Sequence, residues 1–241
     1  MALQKVDTGM IANDAVTLDK MVGGVDGNII SYDASGNPVA VVTGSSGQVF
    51  TSAGAGAPPT FAAAAGGGAW TFIATSLITG SPSTVTLSGI TSTYDTYVLT
   101  YANIRVSDDG AMLGLRYGDA GGVDSGGSDY GIVRHITYGN SSHNEYGTQG
   151  RNFMDISKDT GNAAGEGMSG HAYLHSLTAG NILPSMSYIS SVFGGNATYN
   201  PQGYYGMGNR NAQMTVTTVS LAVTPGTIAG GRITLYGIAH S

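Results

Sequence analysis

Residues 27–38, GNIISYDASGNP, return twenty positions later as residues 47–58, GQVFTSAGAGAP. In register, Gly27 meets Gly47, Asn28 meets Gln48, Ile29 meets Val49, Ile30 meets Phe50 and Ser31 meets Thr51, while Val41 falls opposite Phe61. Each copy reads as a short β segment, a glycine-proline turn and a second short segment. A fixed period marks an architecture of stacked units, none of which can bury its own apolar side chains. Two units supply too little surface for a core. The physical remedy is several chains wound about one axis, which also hides the strand edges and normally closes into a cyclic homo-oligomer. Val25, Ile29, Val49, Phe50 and Phe61 are the expected contacts between copies in a shaft spanning residues 23–61.

The rest of the chain argues for strands as well. Glycine accounts for 39 of 241 residues, charged residues for 10% and apolar residues for 41%, with Tyr, Val, Ile and Leu in alternating runs. Sparse charge removes the usual exposed helix faces, and the balance favours strands and tight turns over helix or disorder. A formal charge of −6 without a basic tract leaves no footprint for nucleic acid. The absence of cysteine excludes disulfides, thiol nucleophiles and thiolate metal sites. No basic-then-apolar leader and no membrane-length apolar run is present, so synthesis in a cytoplasm without membrane insertion is expected.

Along the chain, residues 1–22 mix charges and aliphatics without a clean period and suit an attachment arm that orders against a neighbour. Residues 62–69, AAAAGGGA, are too short and too small to hold a helix and read as a linker. From Trp70 onward the pattern becomes that of a globular head over residues 70–241. Tyr94–Ile104 is the longest β-prone run, with Tyr97, Leu99 and Tyr101 on one face and Val98 opposite. Asp109-Gly110 then predicts a hairpin with Ala111–Tyr117, whose Leu113, Leu115 and Tyr117 share a face. Gly118–Gly127, Gly139–Gly150 and residues 194–211 read as loops. Seven to ten short strands, spaced this way, predict a jelly-roll-like β-sandwich.

A search for chemistry returns little. His171 and His175 have the spacing that meets a metal on a helix, but their surroundings alternate like a strand, which sets them about 13 Å apart. Asp108-Asp109 sits at a turn. Asp155, Asp159 and Asn162 offer oxygen ligands, yet at a spacing that does not match a calcium loop. No nucleophile elbow or phosphate loop occurs. The expectation is a non-enzyme without metal or other cofactor. Tyrosine is more informative, with fourteen residues against one Trp. Tyr138 and Tyr146 flank one polar stretch, and Tyr199, Tyr204 and Tyr205 lie in another. Tyrosine among Ser, Gly and Asn is the mixture of recognition surfaces, so these five are candidate receptor contacts; the alternative is that their rings pack against the sheet or the axis.

Three places resemble tailed-bacteriophage virion fibres. GMIANDAVTLDKM is similar to the I-x-x-x-A-V-T-x-x-K units at the base of such fibres, and GQVFTSAGAGAPPTF resembles their G-Q-V-L-T-S-x-G-x-G-x-x-P-x-F segment. The third is the head frame: Trp70–Ile73, Gly89–Tyr97 and Gly231–Ile238. The resemblance implies a homotrimer in the virion, anchored to other virion proteins through residues 1–22, with a distal β head facing a host-surface glycan. Two alternatives remain open from sequence: a capsid head fibre or decoration protein, and a glycan-degrading spike. The spike fits least, because its groove needs several carboxylates and the 15 acidic residues here are scattered.

Overall fold

The computed structural model describes residue 9 and residues 23–64, 70–194 and 201–239. Apart from residue 9, the expected attachment arm lies outside the described residues, as do Tyr199 and most of the linker. The chain is all-β and divides into two compact units, Met1–Gly67 and Gly68–Ser241.

In the first unit, β1 (Ile29–Tyr32) pairs with β2 (Pro38–Val41), and β3 (Gln48–Thr51) pairs with β4 (Thr60–Ala63), both antiparallel. The glycines of the repeat have a backbone reason to recur: Gly27 and Gly47 take φ of 79° and 88°, Gly36 and Gly56 take 80° and 82°, values that exclude most side chains. The matching amides both accept backbone N–H groups but at different places, Asn28 Oδ1 from Thr43 on the far side of its hairpin at 3.0 Å and Gln48 Oε1 from Ser45, three residues before it, at 2.7 Å. The turns differ. Asp33 Oδ1 accepts from the N–H groups of Ser35 and Asn37, each at 2.9 Å, whereas Ala53 at the matching position of the second copy has no side-chain acceptor. The second turn is longer, and its hairpin is slipped by one residue. Ile29 faces Val41 in the first, but Phe50, not Val49, faces Phe61 in the second, their rings edge-to-face at 5.4 Å.

The second unit contains two antiparallel sheets. The larger has eight strands in the order β11-β10-β15-β14-β13-β7-β17-β5, and the smaller has β12-β8-β16-β6 with β9 added beside β8. In chain order these strands are β5 (Trp70–Ile78), β6 (Thr84–Ser88), β7 (Thr96–Val106), β8 (Ala111–Asp119), β9 (Gly122–Val123), β10 (Tyr130–Tyr138), β11 (His143–Arg151), β12 (Met154–Thr160), β13 (Gly167–His175), β14 (Ser185–Phe193), β15 (Pro201–Arg210), β16 (Thr218–Thr224) and β17 (Ile228–Ile238). Thirteen strands among the described residues exceed the eight of a jelly roll. The core lies between the sheets. Tyr97, Leu99, Tyr101, Leu174 and Leu235 of the larger sheet meet Leu113, Leu115, Ile156, Val219 and Leu221 of the smaller, all buried.

Three sequence expectations are corrected. Asp109-Gly110 does not close a hairpin: β7 and β8 belong to different sheets, so residues 107–110 carry the chain across the core. The crossing is tied to the connection between β16 and β17, with Ser107 N–H donating to Thr227 O at 2.9 Å and Thr227 N–H to Ser107 Oγ at 2.8 Å. The polar stretch 139–150 is mostly edge strand β11, and the stretch 194–211 contains the ten-residue β15. Gly206 explains why β15 looks like a loop in sequence. A Cβ there would sit 2.2 Å from the Val133 carbonyl oxygen, so close strand approach requires glycine.

Candidate functional site

One candidate surface is the hairpin β10–β11, which ends the larger sheet. Its turn is closed by Tyr138 N–H donating to Ser142 O at 2.9 Å and Ser141 N–H donating to Tyr138 O at 3.0 Å. His143–Gly147 are exposed along the free edge. Tyr146 points to the core side of β11, beyond the reach of the smaller sheet, and its ring lies 4.7 Å from the Arg134 guanidinium. That cation is fixed from behind. Arg134 Nη1 donates to Asp155 Oδ2 at 2.5 Å, and Arg151 Nη2 reaches both Asp155 oxygens at 3.1 and 3.0 Å. Burial pushes the Asp155 carboxyl up, and the guanidinium groups of Arg151 and Arg134 oppose the shift. Tyr146 is therefore an exposed ring held by a buried ion cluster, a preorganised contact of the kind a recognition surface uses.

The other surface is the face of the larger sheet that points away from the core. Along β14 and β15 the alternation is strict, so Ile189, Tyr205 and Met207 face outward while Tyr188, Tyr204 and Gly206 face inward. Cross-strand register aligns His171, Ile189, Tyr205 and His135 in one row, and Tyr236, Val98, Tyr173, Ser187, Met207 and Val133 in the next. Tyr205 stacks on His135 at 4.7 Å, and His143 stacks on the other side of His135 at 5.6 Å. Glu145 Oε1 is 3.4 Å from His135 Nδ1. At the opposite end Trp70 lies 5.6 Å from Tyr236 and 6.3 Å from Tyr173, and these rings close over Val98. A depression of about 560 Å³ opens among Val133, His135, Glu145, Ser187, Tyr205 and Met207.

The five tyrosines singled out from sequence separate. Tyr146 and Tyr205 are exposed, on opposite faces of the larger sheet. Tyr138 is half-buried and packs against the core. Tyr204 is a correction: it is 0% exposed, and its hydroxyl faces the Lys158 carbonyl and, at 2.7 Å, the Gln202 side-chain oxygen. Strand alternation decides this, because adjacent residues in β15 point opposite ways. Other buried tyrosines do the same work, such as Tyr97 donating to Thr91 O at 2.7 Å and Tyr117 to Ser185 O at 2.8 Å. Sequence reading missed Arg134, since a lone Arg between Val133 and His135 gives no sign of facing inward.

The other candidate groups have structural partners. His171 and His175 flank Tyr173 on β13, with rings 5.6 and 6.4 Å from it. Asp155 is committed to the two arginines. Asp124 and Asp129 bind Arg210, at 2.7 and 3.4 Å, which ties the glycine-rich segment after β8 to the end of β15. Among the described residues no three His, Asp or Glu side chains gather as a metal site.

Among the expected shaft contacts Val25, Ile29, Val49 and Phe50 are exposed in the single chain, and Phe61 is half-buried. Ile30, Tyr32 and Val42 are exposed as well, at 59%, 65% and 71%. No protein-family model, curated protein or solved structure matches this chain.

Proposed function

We propose that this chain is a structural component of a tailed-phage virion: a homotrimeric tail fibre, held to other virion proteins through residues 1–22, whose head recognises a host-surface glycan. One observation carries the reading. Seven apolar side chains of the repeat hairpins, from Val25 to Phe50, stand exposed in a lone copy. Two hairpins of four-residue strands bury only Val41 among their large apolar side chains, and winding copies about an axis covers the rest. The sequence resemblance supplies the biological setting. Within the head, the β10–β11 hairpin is the recognition edge, with Tyr146 as its anchor and Asn140, Ser142 and Asn144 as adaptable hydrogen-bonding neighbours.

Sedimentation equilibrium of the full chain tests the assembly: the expected mass is three times 24.4 kDa, and a monomer at micromolar concentration overturns the reading. Antibody to the head, imaged on intact particles, tests the place. Label at the tail tip is expected; label spread over the capsid replaces the fibre with a decoration protein.

A further inference from the structure

Among the described residues of its own unit, no layer covers the outward face of the larger sheet, yet the face is built like an interior. Val133, Ile189 and Met207 are each 57% exposed and Phe72 58%. None of these side chains carries a hydrogen-bonding group suited to a sugar. The charged side chains that reach this face are peripheral: Glu145 lies on edge strand β11, and Arg232 and Arg105 lie on β17 and β7 toward the other margin, past the row that runs from His135 through His171 and Thr100 to Thr234. An apolar, aromatic and methionine-bearing centre with charge confined to the rim is the anatomy of a protein–protein interface.

We infer that this face is where the heads of neighbouring copies of this chain meet, a proposal that rests on the trimeric reading above. Size agrees with the occupant. Eight strands spaced about 4.8 Å apart, crossed by five outward rows about 6.8 Å apart, cover roughly 900 Å², comparable with the about 800 Å² that each partner buries in a standard interface. Charge agrees as well. Glu145 marks one margin of the face, and Arg232 and Arg105 mark the region toward the other, so a head-to-tail contact around a closed ring brings acid to base. The aromatic roof of Trp70, Tyr173 and Tyr236 already buries Val98, and a neighbouring copy extends that cover over Met207, Val133 and Ile189.

The native chain contains no cysteine, so a single introduced thiol reports on one position. In the full chain, Met207→Cys and, as a control on an exposed loop, Ser125→Cys are labelled with a thiol reagent, and their mass is followed by sedimentation. The expected result is a trimer in which the thiol at 207 reacts at least about tenfold more slowly than the thiol at 125. Ile189→Cys repeats the measurement if the first variant does not fold. Equal reaction rates in a chain that sediments as a trimer overturn this inference and leave the trimer intact. A wild-type chain that sediments as a monomer overturns the trimeric reading itself. A Met207→Asp variant that loses host-cell binding while the 207 thiol is freely reactive assigns the face to a receptor, and also overturns the inference.

Discussion

At the scale of single residues, the buried ion cluster is the most exacting feature of the second unit. Asp155 is fully buried, Arg134 nearly so, and each neutralises the other. Asp155→Ala strands two guanidinium groups, and the expected loss is about 3–5 kcal/mol in chemical denaturation. Replacing Arg134 and Asp155 together by Met and Leu costs less, because the only guanidinium that then loses its partner is that of Arg151, which is partly exposed to water. Tyr146 depends on the same cluster from outside. Tyr146→Ala is expected to weaken binding to host cells with little change in the denaturation midpoint, whereas Tyr204→Phe is expected to cost about 1–2 kcal/mol of stability and leave binding alone. His175 gives a pH test. Burial lowers its pKa below 6.5, so the unfolded chain takes up the proton first as pH falls. Its contribution to stability is complete above pH 6.5 and declines as pH falls from there toward the lowered folded value. A ring-proton titration with its midpoint below 6.5 is the expected measurement. None of these environments was legible in the sequence, which shows that Tyr204 and Tyr205 alternate but not which of them meets the core.

At the scale of elements, legibility followed periodicity. The runs holding Tyr97, Leu99 and Tyr101, and Leu113, Leu115 and Tyr117, declared their buried faces because three apolar residues recur at a spacing of two. β11 and β15 were hidden for opposite reasons. β11 is an edge strand whose exposed residues need no apolar alternation, and its polarity guards a free margin. β15 has glycine at 203, 206 and 208, a composition that reads as a loop until close packing explains it. Gly206→Ala is expected to cost about 2 kcal/mol or more, read from the denaturation midpoint, since the new methyl meets backbone rather than a movable side chain. The Asp-Gly pair after β7 misled in another way. It specifies a tight reversal, but whether the arms pair or face each other across a core is settled by packing elsewhere.

At the scale of the whole molecule, the all-β class was written in the abundance of glycine and the scarcity of charge. The twenty-residue period of the hairpins was equally plain. The number of strands was not, because sheet membership is fixed by partners distant in sequence, such as β5 with β17. Ile30→Asp with Phe50→Asp places two carboxylates on the exposed side of the hairpins. Sedimentation is expected to show a smaller assembly than wild type, and circular dichroism of the strands should be nearly unchanged. If the double variant sediments as a trimer, the hairpins do not hold the copies together.

The strand at the other margin of the large sheet, β5, has the sequence WTFIATSLI, without a charge or a proline, and among the described strands of its sheet it pairs only with β17. Nothing in its own composition discourages a stray chain from adding to it. Polymerisation hazard is thus written into the second unit, and under the proposed trimeric reading the recruitment of sibling chains competes with precipitation. Damage to residues 23–61 is then felt first as lost yield: a fragment starting at Gly68 is expected in the pellet of a cell extract, and Thr71→Lys on that margin is expected to return part of it to the supernatant.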